Sequence, residues 1–294
     1  MQQLKNKIVV VENSQLSNKY KDDIINIWET SFGDNREYIN LFLEHNISWD
    51  CLLYIKDEIA VSMLFLIDCS LSAEKKGQIN GKYVYAVATL PQHRNKGYTT
   101  ELLDFANSRF SNDKSYDYTV LVPSEKGLFN FYGKRGYETI LFCDKGIYKK
   151  SKSTFAHEMN ISNVLPVNYS KIRNEFLKSN FVRWDERFIE YCFEENEFCG
   201  GKQIVVTQNE KIIAIAILIK DKSVLNIKEI VFADVFLDKF CVFDFLLHHF
   251  GCDEIQYRCN YPENSLCKQP LGMIKWGKEE SQKIEDSYMG LVLD

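Results

Sequence analysis

The stretch Val87-Ala88-Thr89-Leu90-Pro91-Gln92-His93-Arg94-Asn95-Lys96-Gly97-Tyr98-Thr99-Thr100 decides how the rest of the chain is read. It begins as a strand, breaks at Pro91, and passes through a polar loop with two cations and one glycine. A helix opens at about Gly97, with Leu102, Leu103, Phe105 and Ala106 on its apolar side. A strand that feeds a basic loop and then a helix has a physical use. The N–H groups of the helix's first turn have no intrahelical acceptor, and the helix dipole adds positive potential where they converge. Arg94 and Lys96 add full charges. The loop is suited to a diphosphate, with Gly97 allowing the ligand close to the backbone.

The flanking sequence supplies the frame for that loop. A short strand is predicted over 7–12. A helix over 18–32 follows from Ile24, Ile25, Ile27, Trp28 and Phe32 and stops at Gly33. A second helix covers about 35–45, and strands cover 51–56, 60–71 and 78–88, with breaks at Asp57-Glu58 and Gly81. After the helix at 97–110 come a strand at 116–122, a helix at 126–134 and one or two strands over 137–148. The second half repeats this order loosely. Helices are expected at 170–177 and 186–193, strands at 204–207, 211–219 and 224–232, a helix at 236–250, a strand at 254–260 and a last strand at 289–293. The pattern is a mixed α/β fold, duplicated in architecture with little residue identity. Polar, basic Lys150–Ser153 suits a linker.

Composition narrows the function. The 294 residues carry 36 Lys plus Arg and 41 Asp plus Glu, for a formal net charge of −5. Residues 1–150 hold 19 basic and 19 acidic side chains, so the acidic excess lies in the second half. No basic surplus exists to meet a phosphate backbone, which argues against nucleic acid. The nine cysteines are odd in number, and no C-x-x-C occurs, so buried free thiols in a reducing cytoplasm are expected, with no metal. The apolar run Ile212–Ile219 is eight residues long, far short of a membrane span, and no secretory leader is read at the N-terminus.

A second stretch carries chemistry: Leu121-Val122-Pro123-Ser124-Glu125, then Phe131-Tyr132-Gly133-Lys134-Arg135-Gly136-Tyr137-Glu138. Together the two stretches resemble the GNAT (Gcn5-related N-acetyltransferase) superfamily. Arg94-x-x-Gly97-x-Thr99 resembles its acyl-CoA loop, Q/R-x-x-G-x-G/A, with Thr99 where Gly or Ala is commoner. The run Val87 to Gly97, with Pro91 three residues before Arg94, is similar to the first domain of enhanced intracellular survival (Eis) type acetyltransferases. Those chains carry tandem GNAT domains and a third, sterol-carrier-like domain for which this sequence is too short.

The resemblance implies an α/β fold of two tandem GNAT domains with mixed sheets. Residues 1–150 form the catalytic domain with an intact acyl-CoA loop, and 151–294 form a degenerate one. It implies acetyl-CoA as co-substrate and direct transfer, in a ternary complex, to a primary amine of a small molecule or a Lys-containing peptide. The acyl-CoA contacts fall on Val87, Ala88, Thr89, Arg94, Asn95, Lys96, Gly97, Tyr98, Thr99 and Thr100. Tyr132 is placed as the acid that protonates the leaving thiolate, and an oxyanion donor is expected at a bulge in strand 83–89. Tyr83-Val84-Tyr85-Ala86 offers no carboxylate as base. By analogy with the Eis terminal carboxylate, Asp294 is the candidate.

Other readings compete. Tyr132 is alternatively a core aromatic, and the protein a non-catalytic acyl-CoA-binding module. A mycothiol-synthase-like transferase would place the active loop in the second half. There, Val231–Lys239 has no glycine and carries Asp234 and Asp238, which would repel a diphosphate. Trp28 and Phe32 are read as mainly core, and His93 as a surface loop residue. His248 and His249 are adjacent on a helix and share no metal-binding face. The acidic group Asp185, Glu186, Glu190, Glu194, Glu195 and Glu197 is a solvated face or the lining of a cleft for a cationic amine.

Overall fold

The computed structural model describes residues 6–112, 116–150, 159–235, 237–262, 265–277, 284 and 286–293. They form two compact units. The first comprises Met1–Leu71, Gln78–Glu138 and Met273–Lys283, and the second Ser72–Gly77, Thr139–Gly272 and Ile284–Asp294. Beyond Lys150, the expected linker lies outside the described residues.

The first unit begins with β1 (Lys7–Glu12), α1 (Asn18–Phe32) and α2 (Arg36–Glu44). Ile24, Ile25, Ile27 and Trp28 form the buried stripe of α1, which ends where Gly33 turns left-handed at φ 81°. Asn35 then caps α2, its side chain accepting from the Tyr38 N–H at 2.8 Å. Next come β2 (Trp49–Lys56), β3 (Ile59–Ala73), β4 (Gly77–Thr89), α3 (Tyr98–Asn112), β5 (Tyr118–Leu121) and α4 (Lys126–Gly133). Asp57-Glu58 makes the β2–β3 turn with both residues at positive φ. Gly81 is no break. It lies inside β4, where an added Cβ would stand 2.2 Å from the Tyr118 ring, so the glycine is what lets β4 and β5 pair.

The chain continues as β6 (Glu138–Lys149), β7 (Met159–Asn163), α5 (Pro166–Leu177), β8 (Phe181–Arg183) and α6 (Glu186–Phe198). Then come β9 (Lys202–Gln208), β10 (Lys211–Asp221), β11 (Val224–Phe232), α7 (Lys239–Phe250), β12 (Glu254–Cys259), β13 (Lys268–Trp276) and β14 (Ser287–Tyr288). The predicted strand at 289–293 is therefore irregular chain, and regular pairing stops at Tyr288.

In the first unit the strands lie in the order β1-β2-β3-β4-β5, and the Met273–Trp276 end of β13 pairs with β5. In the second the order is β7-β9-β10-β11-β12-β6. β1–β2, β2–β3 and β5–β13 in the first series, and β7–β9, β9–β10, β10–β11 and β12–β6 in the second, are antiparallel, whereas β4–β5 and β11–β12 are parallel. The duplication expected from the sequence is thus present in two series of six strands, with β8 and β14 of the second unit outside them. In each unit, the place after the parallel pair is filled by a strand from the other half of the sequence.

The first unit's core on one side of the sheet joins Leu64 and Leu66 of β3, Val84, Tyr98, Leu102, Leu103 and Ala106 of α3, Leu121, and Tyr132 of α4. Leu102 and Leu103 are wholly buried, and each contributes about 1.5–3 kcal/mol. On the other side, Trp28, Phe42, Phe65 and Tyr85 meet with ring centroids 5.0–5.6 Å apart. Phe32 departs from its core reading, since it is 48% exposed.

In the second unit α7 covers Leu225, Ile227, Ile255 and their neighbours. Of the acidic group, Asp185 caps α6 through the Phe188 N–H and Glu195 is buried against Lys228. All nine cysteines are free thiols, six of them buried. Burial raises Cys69 to about 12 and Cys143 to about 11, so neither is a nucleophile at neutral pH. Among the described residues no helix is long and apolar enough to cross a membrane, and no cluster suits a metal.

Candidate active site at the fork of two parallel strands

β4 and β5 pair in register from Gly81↔Tyr118 to Val84↔Leu121, and there β5 ends. Tyr85–Thr89 run on without it. That tail is kinked at Ala86, whose φ of 47° is a left-handed value costly for a residue with a Cβ. It stays tied to β3: Ser62 Oγ donates to the Ala88 carbonyl at 2.8 Å, and the Leu90 N–H to the Val61 carbonyl at 3.0 Å. Thr89 Oγ1 lies 2.7 Å from Ser62 Oγ and 3.0 Å from Thr99 Oγ1, which joins the strand end to the first turn of α3. Val87 packs against the α3–α4 side of the core. The result is a fork whose β4 limb presents backbone that β5 does not pair.

The fork opens onto the basic loop. Pro91–His93 make one 3₁₀ turn, Asn95 takes φ 61° and Gly97 takes φ 88°. The space where a Gly97 Cβ would stand is open, so this glycine is required by its φ. The first intrahelical bond of α3 is Glu101 N–H to Gly97 carbonyl, at 3.0 Å. The N–H groups of Tyr98, Thr99 and Thr100 therefore precede the ladder and face the loop's mouth. Arg94 is exposed, with Nε on the Thr89 carbonyl at 3.2 Å, and Lys96 is folded onto the Gln92 carbonyl at 2.9 Å. Burial and the charge of Lys96 lower the pKa of His93, which favours its neutral form.

Sequence reasoning missed one member. Arg135, in the turn after α4, donates from Nη2 to Thr100 Oγ1 at 2.7 Å and from Nη1 to the Phe131 carbonyl at 2.8 Å. Its guanidinium lies 3.5 Å over the Phe131 ring, and its Nε is buried without a partner. A cation at the positive end of a helix is unfavourable unless an anion joins it. The Lys134-Arg135 pair was visible in the sequence. Its approach to Thr100, 35 residues away, was not.

Tyr132 is buried beside the fork, in the same cluster as Val84 and Leu121, its ring 5.2 Å from Phe131 and 5.8 Å from Tyr137. Burial pushes its phenol up to about 12, opposed by the nearby Arg135 charge. It holds its proton throughout the neutral range. Of the expected residues, Val87, Tyr98 and Tyr132 share one core cluster and Thr89 meets Thr99, whereas Asp294 lies outside the described residues.

A family model described as an acetyltransferase (GNAT) domain matches residues 12–140. The match spans 129 of the 294 residues, nearly all of them in the first unit. Solved structures agree in fold. A conserved protein of Enterococcus faecalis V583, described as a probable N-acyltransferase, has a TM-score of 0.68 at 14% identity, over 92% of this chain and 73% of that one. Eis1 from Mycobacterium abscessus has a TM-score of 0.64 at 11% identity, over 94% and 74%. A tandem GNAT protein from the clavulanic acid biosynthesis pathway has a TM-score of 0.57 at 10% identity, over 92% and 99%. No curated protein matches the chain in sequence.

The second unit repeats the strand order of the first, with its fork closed. β11 and β12 pair as far as Ile230↔Cys259. Beyond that point the Asn260 side chain takes over the ladder: Phe232 N–H donates to Asn260 Oδ1 and Asn260 Nδ2 donates to the Phe232 carbonyl, both at 2.9 Å. At the head of α7 the Asp238 carboxylate accepts the Phe240 N–H at 3.0 Å, so an anion is already built in where a ligand anion would sit. Glu229, beside an irregularity of β11, is wholly buried and engaged. It accepts from Tyr169, Tyr288 and Arg173, the last through both Nε at 2.8 Å and Nη2 at 3.0 Å.

Proposed function

We propose that the chain moves an acetyl group from acetyl-CoA to a primary amine by direct attack in a ternary complex, at the β4–β5 fork. The observation that carries this reading is the parting of β4 from β5 after Val84↔Leu121, continued by the N–H groups that open α3. The residues fit the co-substrate. The α3 terminus with Arg94, Lys96 and Arg135 offers donors and charge for a diphosphate. The part of β4 beyond Val84, where β5 no longer runs beside it, is suited to an extended chain bearing amides.

The chemistry follows from the same parts. The amine lone pair attacks the thioester carbonyl carbon, and the oxygen gains charge, which the kinked backbone at Ala86 is suited to meet with an N–H. The C–S bond then breaks, and the thiolate takes a proton from the Tyr132 phenol. The attacking nitrogen loses its proton to a base, and the phenolate recovers one from solvent. The closed fork at Asn260 supports assigning the transfer to the first unit. A second reading, an acyl-CoA-binding module without turnover, is favoured by one observation, the depth at which Tyr132 is packed. Thiol release from acetyl-CoA with a panel of amines separates the two: turnover supports the transferase, and tight CoA binding without turnover supports the module.

A further inference from the structure

We propose that two copies of this chain pair through the second unit, the acidic face of α6 in each lying in a basic groove on the sheet of the other. The groove follows from strand register. Ile219 of β10, Asn226 of β11, Gln256 of β12 and Ile147 of β6 lie side by side across four strands, so they share one face of the sheet. Arg258 and Lys145 are the next pair on that face. The opposite face, with Leu225, Ile227 and Ile255, lies under α7. On the groove's side α5 and α6 pack on β9, β10 and β11, and past them Gln256 is exposed and Ile147 is 65% exposed. The hollow above these strands measures about 530 Å³.

Charge selects the occupant. Lys145, Lys228 and Arg258 line the groove, and among its described lining residues there is no carboxylate. Arg258 is drawn across it, its Nε donating to the Lys228 carbonyl at 2.9 Å. Glu195 of α6 meets Lys228 at 2.5 Å, so one α6 carboxylate already sits on the groove's edge within a single chain. On the exposed face of the same helix Glu186, Glu190, Glu194 and Glu197 recur at helical spacing. Size agrees as well. The 13 residues of α6 span about 20 Å, and the five neighbouring strands from β10 to β13 span about 19 Å. Helix and groove are neighbours in one unit, so the surface is self-complementary. About a two-fold axis each α6 meets the other copy's groove, and the assembly closes at two. Ile147, with Phe198 at the end of α6 49% exposed, adds apolar contact.

The test is sedimentation velocity on the full chain up to about 100 µM, at about 0.05 and 0.5 M salt. The parent is compared with Lys145→Glu, with Glu190→Lys, and with an equal mixture of the two variants. The parent should sediment as a dimer whose dissociation constant rises roughly tenfold at the higher salt. Each variant alone should raise it by about tenfold or more, since like charges then face each other twice. Mixing should restore the dimer: one of its two contacts is then the parent's, and the other has both charges exchanged. Circular dichroism and urea midpoints confirm that the variants fold. If a reversal unfolds the chain, Lys145→Gln and Glu190→Gln must each weaken the dimer instead. A parent that stays monomeric overturns the proposal, and one that stays monomeric but binds a poly-glutamate peptide overturns it in favour of a foreign acidic partner. A dimer indifferent to both variants, or one that mixing does not restore, also overturns it.

Discussion

Arg135 Nη2 donates to Thr100 Oγ1 at 2.7 Å and so holds a guanidinium at the positive end of α3. With Arg94 and Lys96 nearby, three cations stand around a first turn that holds one carboxylate, Glu101, an excess that favours a bound anion. Arg135→Gln is expected to weaken CoA binding by about 1–2 kcal/mol and to flatten its dependence on ionic strength. Isothermal titration at two salt concentrations checks this. Equal affinities and equal salt slopes would show that Arg135 only clamps α4 to α3.

Tyr132→Phe is expected to lower kcat by about ten- to a hundredfold with CoA affinity unchanged, the range of a lost general acid. Steady-state rates and direct CoA titration separate these effects, and an unchanged kcat removes the phenol from the mechanism. Tyr132 and Tyr137 are both raised to about 12. Their contribution to stability is complete below the unfolded-state value near 10 and is lost as pH rises from there through about 12. Urea unfolding at pH 8 and pH 11 should therefore show an alkaline loss that shrinks in Tyr132→Phe and in Tyr137→Phe.

Asn260→Ala removes both partners of the Phe232 backbone in a buried place. The expected loss is about 1–3 kcal/mol for each group left unpaired, with no gain of a second CoA site. Denaturant titration and CoA stoichiometry read the two parts. A second equivalent of bound CoA would mean that Asn260 alone bars the second fork.

A chain ended at Lys150 lacks the strand that pairs with β5. Met273 and Ile274 are buried, and Trp276 packs on Tyr118 at 5.3 Å. Each buried apolar side chain contributes roughly 1.5–3 kcal/mol, so the shortened chain should melt without cooperativity. A sharp calorimetric transition in residues 1–150 would contradict the exchanged arrangement of β6 and β13.

What could be read from the sequence was local. Leu102, Leu103 and Ala106 declared α3, Gly33 the end of α1, and Arg94–Gly97 an anion-binding loop, because each signal lies within a few residues. What stayed hidden depends on distant partners. Gly81 looked like a break because Tyr118 was needed to show why a Cβ is excluded. Phe32 fits the apolar period of α1, and only the packing of α2 and β4 shows that the stripe is covered as far as Trp28. β13 was not predicted at all, since its place beside β5 crosses about 150 residues of chain. Asn260 gave no motif, because its role is set by the Phe232 backbone it bonds.

The central claim is that CoA enters the chain once, where β4 leaves β5. The most direct measurement is an amide NMR titration of the full chain with CoA. Saturation at one equivalent, with the largest shifts over Tyr85–Thr100, is the predicted result. Shifts centred on Phe232–Phe240 and Asn260, or none at millimolar CoA, would contradict it.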